Sequence, residues 1–130
     1  MAARAGERAH ASKQKLALQI CTELTKHTAV EEEIFYPAVR QAARGSAELV
    51  DEAVVEHASA KDLIAQLLQL DAGDALFDAK MKVLSEQVLH HVEEEEAEMF
   101  PKAVKAKLDM VELGIEMAQR KEDITLPGKR

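Results

Sequence analysis

Two stretches of the sequence carry histidine, glutamate and proline in the same order. They are HTAVEEEIFYP at residues 27–37 and HVEEEEAEMFP at residues 91–101. In both, a glutamate follows the histidine four positions later, and a proline closes the segment. Imidazole together with carboxylate suits iron, manganese or zinc better than calcium or magnesium, and carboxylates can bridge two ions. The repeat therefore predicts a transition-metal site built from two copies of one motif.

The histidine and glutamate of each copy are His27 with Glu31 and His91 with Glu95. Four helical residues span about 6 Å of axial rise, so the two side chains of a pair lie on one face of a helix and can reach one centre. An isolated pair of this kind is more often an ion pair on the surface of a helix. Here each pair continues an apolar stripe, with Leu16, Ile20 and Leu24 before His27 and Met81, Leu84 and Val88 before His91. A lone buried carboxylate would cost several kcal/mol, roughly, without a partner. The repeat and the stripe together favour metal ligands.

A third histidine, His57, lies on the apolar face of the helix between the two copies. Val50 and Val54 precede it, and Ile64 and Leu68 follow it, at helical spacing. Alone, such a residue is more often a core histidine with a hydrogen-bonded ring. Because His57 is the third histidine on an inward face, we expect it to be a ligand.

Two short turns divide the chain into long helices. Each turn combines a glycine, suited to the end of a helix, with a following Ser46 or Asp74, suited to an N-cap. Short connections make successive helices antiparallel, so the first and third run parallel and their motifs can lie at one level. We expect a single all-α domain over residues 1–130. Its predicted helices are three long ones at about 10–42, 46–70 and 74–107, and a short C-terminal one at 109–123.

Composition limits the class of partner. The chain has 130 residues, a formal net charge of -7 and a single cysteine. Such a charge argues against a nucleic-acid surface and favours a cation. No segment is apolar enough for a signal peptide or a membrane span, and one cysteine cannot form an internal disulfide. We expect a cytoplasmic protein that binds neither nucleic acid nor membrane.

The neighbours of the two motifs are expected to have ordinary roles. Tyr36 is predicted to pack in the core; the alternative is a phenol that takes part in redox chemistry at the metal site. His90 is predicted to be solvated. The glutamates beside it are expected to form an acidic surface that at most helps to attract cations. These glutamates are Glu93, Glu94 and Glu98.

Over about residues 10–107, the chain resembles the hemerythrin-like domains with the HHE cation-binding signature. The elements that carry the resemblance are His27-x-x-x-Glu31-Glu32 with Tyr36-Pro37, Glu56-His57, and His91-x-x-x-Glu95-Glu96 with Phe100-Pro101. The resemblance implies a four-helix bundle around a non-haem di-iron centre. It also implies binding of O2, or sensing of oxygen, redox state or iron. By resemblance, His27, His57 and His91 would be terminal ligands, and Glu31 and Glu95 would bridge the two ions.

One departure from the family pattern concerns the start of the bundle. The family's domain begins with another helix, whose histidine completes the site, whereas this sequence begins where the loop after that helix is expected. The resemblance therefore implies an incomplete centre and an uncovered apolar surface. We expect a second copy of the chain to cover it, as a homodimer or by exchange of helices.

Three classes of function stay open. The first, which we favour, is a non-enzymatic di-iron protein that binds O2 or senses oxygen, redox state or iron. The second is a di-iron enzyme such as a ferroxidase or a consumer of peroxide or nitric oxide, which turnover with these substrates would distinguish. The third is a metal-free truncated bundle, whose stability chelators would leave unchanged.

Overall fold

The protein is an all-helical bundle, as the sequence predicted. The structure is a computed structural model that describes residues 5–124; residues 1–4 and 125–130 of the predicted domain lie outside the described residues. No strand occurs within the described range. In chain order the elements are α1 (Ala5–Val30), a first π segment (Glu31–Phe35), α2 (Tyr36–Ala42), α3 (Ala47–Gln69), α4 (Phe77–Glu94), a second π segment (Glu95–Met99), α5 (Phe100–Lys105) and α6 (Met110–Asp123).

The two π segments are wider helical turns inside continuous helices. The residues that flank the first, Val30 and Tyr36, both have right-handed helical backbone angles, as do Glu94 and Phe100 around the second. Residues 5–42 and 77–105 therefore each form one long helix. With α3 and the short α6, they make up the predicted three long helices and one short C-terminal helix.

The turns at the helix ends differ in detail from the prediction. Gly45 has a positive φ of 79°, as expected for a glycine that ends a helix. Ser46 occupies the N-cap position of α3 as predicted, but its hydroxyl does not cap the helix and lies 2.7 Å from the carbonyl oxygen of Ala43. The predicted N-cap role of Asp74 is wrong, because α4 begins at Phe77 and Leu76 is its N-cap, while Asp74 accepts a hydrogen bond from the backbone N–H of Leu76.

Two apolar clusters hold the helices together on either side of one level of the bundle. The first joins the N-terminal parts of α1 and α4 to the C-terminal part of α3. Its buried residues are Ala17, Cys21, Ala60, Ile64, Leu67, Ala72, Phe77 and Leu84. The second lies at the other end of the bundle, and its buried residues are Phe35, Tyr36, Val39, Ala43, Val50, Ala53, Met99 and Ala103. On every long helix, the predicted ligands lie between these two clusters.

The apolar stripe predicted for α1 is partly wrong. Leu16 is 56% exposed and Ile20 is 37% exposed, whereas Ala17 and Cys21 are buried against α3. The small side chains let α1 lie close to α3, and this turns the larger residues outward. An apolar groove is left between α1 and α4, beside Leu24 of α1 and Leu84 of α4. None of the described helices has both the length and the apolar character that crossing a bilayer would require.

Helix α6 packs across the second cluster through Met110, Leu113 and Met117. Its first turn is capped, because Asp109 Oδ1 accepts a hydrogen bond of 3.0 Å from the backbone N–H of Glu112.

We expect Asp109→Ala to lower the free energy of unfolding by about 1 kcal/mol, because the Glu112 amide loses its acceptor. Urea denaturation followed by circular dichroism measures this change. Glu116→Ala, at an exposed position of the same helix, is the matched control and should leave stability unchanged. Equal midpoints for both variants would show that the cap does not stabilise α6.

Candidate metal centre

The structure brings the five predicted ligands together at the level between the two apolar clusters. One ligand atom each from Glu31, His57 and His91 lies within 4.8 Å of the other two, and the same holds for His27, Glu31 and Glu95. Glu31 belongs to both groups. Glu31, His57 and Glu95 are buried, the His91 side chain is 12% exposed, and the His27 side chain is 50% exposed.

The imidazole rings of His57 and His91 converge on one point. Their Nε2 atoms are 3.1 Å apart, and His57 Nε2 lies 3.1 Å from Glu31 Oε1. His91 Nε2 lies 3.6 Å from Glu95 Oε2. His27 approaches from the more open side, with Nε2 3.4 Å from Glu31 Oε1. Two imidazoles and two carboxylates therefore surround a common centre, and a third imidazole lies at its edge.

The hydroxyl of Tyr36 occupies that centre, which the sequence analysis did not foresee. Its oxygen lies 3.0 Å from His57 Nε2 and 2.9 Å from His91 Nε2. It donates to Glu95 Oε2 at 2.8 Å and lies 3.3 Å from Glu31 Oε1. The prediction that Tyr36 only packs in the core is incomplete, because its ring packs in the second cluster while its hydroxyl touches four of the predicted ligands.

The first π segment explains why Tyr36 faces the ligands. In a regular α-helix, residues five apart point about 140° away from each other, so Glu31 and Tyr36 would diverge. Here the backbone N–H of Tyr36 bonds to the carbonyl oxygen of Glu31, five residues back, and the wider turn brings both side chains to one side. Pro37 favours the wider turn, because a proline has no N–H to donate. In a regular α-helix its ring would also crowd the carbonyl four residues back. Inserted turns of this kind often occur at functional sites.

The second π segment repeats the arrangement with one difference. The backbone N–H of Phe100 bonds to the carbonyl oxygen of Glu95, and Pro101 follows. Phe100 occupies the position that Tyr36 holds in the first copy, so only the first copy brings a hydroxyl. The tyrosine that replaces phenylalanine directly before the proline was the sequence signal that could have identified Tyr36.

Two further carboxylates orient the buried imidazoles from outside. Glu32 Oε2 lies 3.0 Å from His57 Nδ1, and Glu56 Oε1 lies 3.0 Å from His91 Nδ1. Lys61 holds Glu32 through a contact of 2.8 Å. Because a carboxylate only accepts hydrogen bonds, each Nδ1 donates, and each Nε2 is directed at the centre. Outer carboxylates of this type fix the tautomer and orientation of metal-binding histidines.

In the metal-free protein, protons on the ionisable side chains compensate the carboxylate charges of the centre. Burial would raise the pKa of Glu31, but hydrogen bonds from His27 and His57 outweigh it and hold this pKa below its usual range. Burial and the neighbouring Glu31 carboxylate raise the pKa of Glu95. Burial opposes protonation of His91, but the hydrogen bonds to Glu95 and Glu56 raise its pKa to about 9.

Tyr36 responds to the same charges. Burial and the carboxylates of Glu31 and Glu95 raise the pKa of its phenol. One phenol proton cannot satisfy four neighbouring ligand atoms. A cation at this point would take the place of such protons and compensate the buried carboxylates, so the donor set fits a transition-metal ion.

The fold and the site together define the class of protein: an all-α bundle with a buried His/Glu centre. Residues 1–103 match the family model described as the hemerythrin HHE cation binding domain. The chain belongs to this hemerythrin family. Neither the comparison with curated proteins nor the comparison with solved structures gave a match.

Proposed function

We propose that the protein binds two iron ions in this centre and uses them to bind O2 or to sense oxygen, redox state or iron. The observation that carries the proposal is that Glu31 belongs to both ligand groups. It lies with His57 and His91 in one ligand group and with His27 and Glu95 in the other. A carboxylate shared by two groups is suited to bridge two ions. The mixture of imidazole and carboxylate ligands suits iron.

Each side chain has a defined role in this proposal. His27, His57 and His91 are the terminal imidazoles, and Glu31 and Glu95 are the bridging carboxylates. Tyr36 contributes a phenol oxygen that can become an additional anionic ligand. When bound, iron supplies one-electron redox chemistry and an open coordination position. The two apolar clusters keep bulk water away from the buried side of the centre.

A small cavity next to the histidines supports a diatomic ligand. Its volume is about 40 Å³, and His27, His57 and His91 line it together with apolar side chains. The apolar part of the lining consists of Leu24, Ala60, Ile64, Val88 and Val92. A pocket of this size admits O2 and leaves no room for an organic substrate. The cavity therefore supports a small ligand such as O2 over an organic substrate.

The test is the metal content of the protein after growth with iron, measured by plasma mass spectrometry, followed by spectra with and without O2. We expect about two irons per chain and a visible spectrum that changes reversibly with O2 or with reduction. Little or no bound metal would overturn the proposal in favour of a metal-free bundle. Sustained consumption of Fe²⁺, peroxide or nitric oxide would instead identify a di-iron enzyme.

We further propose that two copies of the chain pair through the groove between α1 and α4. Met81, Leu84 and Val88 form the α4 side of the groove, and Leu89 on its rim is 63% exposed. Helix α6 covers the second cluster and leaves this part of the bundle open. A second copy fits best, because the half-exposed His27 lies beyond the same groove and a partner helix would close the centre on that side.

Leu89→Glu should convert the dimer into a monomer, because a carboxylate cannot be buried in an apolar interface without a partner. Light scattering coupled to size-exclusion chromatography measures the mass in solution. Val111→Glu, at an exposed position of α6, is the control and should stay dimeric. A monomeric wild-type protein would contradict the pairing.

The cytoplasm is the proposed compartment. The single cysteine, Cys21, is free and buried in the first cluster. Burial raises the pKa of its thiol, which keeps the thiolate fraction and the reactivity low. A fold that contains a free buried thiol and depends on no disulfide suits a reducing compartment.

A further inference from the structure

A second His/Glu group lies on α3 and α4, outside the metal centre. One ligand atom each from Glu56, His90 and Glu94 lies within 4.8 Å of the other two. His90 Nε2 is 2.9 Å from Glu94 Oε1. The side chains of His90 and Glu94 are 67% and 30% exposed, so an ion can reach them from solvent. Glu94 Oε1 itself is shielded and makes no hydrogen bond, so its contact with His90 lacks hydrogen-bond geometry. A shielded acceptor that faces an imidazole nitrogen without a shared proton is an arrangement that a cation between them would satisfy.

The sequence of α4 contains this outer pair as a shifted copy of the inner one. His90 and Glu94 are four residues apart, like His91 and Glu95, and each precedes its inner counterpart by one position. One residue corresponds to a rotation of about 100°, so the helix presents two parallel pairs on adjacent faces.

The first motif does not contain this outer pair. The positions that correspond to His90 and Glu94 are Lys26 and Val30. The outer pair is therefore a feature of the second motif alone and not a by-product of the repeat.

A cavity connects the outer group with the centre. Its volume is about 10 Å³, close to the space that one water molecule needs. Glu56 and Glu94 line it from the outer group, and His91 and Glu95 line it from the centre. Glu56 belongs to both sides, because its Oε1 also accepts from His91 Nδ1. The outer group and the centre are therefore joined both by this cavity and by Glu56.

We propose that Glu56, His90 and Glu94 form an outer binding site for a divalent transition-metal ion, from which the ion enters the centre along this cavity. The inference rests on the proposed function. A hydrated ion reaching the centre must exchange its waters for protein ligands, and an intermediate site with two carboxylates and one imidazole allows this exchange in steps. Exposed Glu52, which lines this cavity, increases the negative potential that attracts cations.

The experiment compares how fast and how far metal-free proteins take up Fe²⁺ without oxygen, with samples separated from free metal at set times and analysed by mass spectrometry. The variants are His90→Ala and Glu94→Gln, with Glu93→Gln as the matched control at an exposed position of the same helix. For the two variants we expect the wild-type final metal content but uptake that is slower by about tenfold. The control should match the wild type in both rate and content.

The outcomes separate the outer site from the proposed function. If the wild-type protein takes up no metal, both the proposed function and the entry site fall. If wild type and variants load at the same rate and to the same extent, the centre binds metal but the outer group is an ion pair only, and the inference is overturned. A titration with Zn²⁺ gives a second readout, in which His90→Ala should lose one weak binding step that Glu93→Gln keeps. Circular dichroism confirms that all compared proteins are folded.

Discussion

Replacing Glu31 with alanine is expected to remove most of the bound metal. Glu31 is the one side chain present in both ligand groups, so its loss leaves His57 and His91 on one side and His27 and Glu95 on the other without a shared carboxylate. Glu95→Ala should have a similar effect, because it removes the second bridging carboxylate. Metal per chain after loading, measured by mass spectrometry, quantifies the loss.

Suitable controls lie close to the same residues. Glu98→Ala changes an exposed glutamate in the second π segment and should keep the wild-type metal content. Circular dichroism should confirm that metal-free Glu31→Ala is folded before metal contents are compared, because His27 and His57 lose the carboxylate they stabilise, and removing one partner of a buried pair destabilises the fold. Metal content equal to that of the wild type in both Glu31→Ala and Glu95→Ala would exclude this centre as the binding site.

The sequence was sufficient to predict the bundle and the residues that converge in it. The pair spacing places His and Glu on one helix face, and the constant offset between the motifs brings the two parallel helices to the same level. Both arguments depend only on helix geometry, which local sequence determines well. This is why His27, Glu31, His57, His91 and Glu95 meet where the two apolar clusters leave a gap.

The contribution of Tyr36 could not be predicted from α-helical periodicity. That periodicity turns residue 36 away from residue 31, and only the wider π turn reverses this. A second error has a similar origin, because the apolar pattern of α1 allowed either of two adjacent faces to be buried. The smaller face with Ala17 and Cys21 is buried, since close approach to α3 decides the rotation of the helix. Long-range packing, absent from any local pattern, determined the rotation of α1, and the local π turn determined the direction of Tyr36.

The buried centre also explains the coupling that we expect between metal and protons. Without metal, the centre has more hydrogen-bond acceptors than donors. His91, whose pKa is about 9, and Glu95, whose pKa is raised, hold protons that reduce this excess. A metal ion displaces these protons when it binds, so loading releases acid. Outer partners such as Glu32 and Glu56 stay in place and keep the imidazoles oriented in both states.

Tyr36→Phe should separate the role of the phenol in the metal-free protein from its role in the loaded one. In the metal-free protein, the hydroxyl donates to Glu95 and lies next to Glu31. Its loss leaves buried carboxylate oxygens without this donor, so we expect the free energy of unfolding to fall by about 1–3 kcal/mol. Chemical denaturation of wild type and variant, both stripped with a chelator, measures this difference.

In the iron-loaded protein, the same substitution should remove the visible absorption band of the phenolate without removing the iron. A nearby cation favours the phenolate, and a phenolate bound to ferric iron absorbs in the visible region. The chain contains a single tyrosine, so any such band must come from Tyr36. The five His and Glu ligands remain in Tyr36→Phe, and iron content should stay near that of the wild type. A variant that keeps both its iron and the full visible band would show that the Tyr36 oxygen is not a ligand and that the phenol serves only as a hydrogen-bond donor.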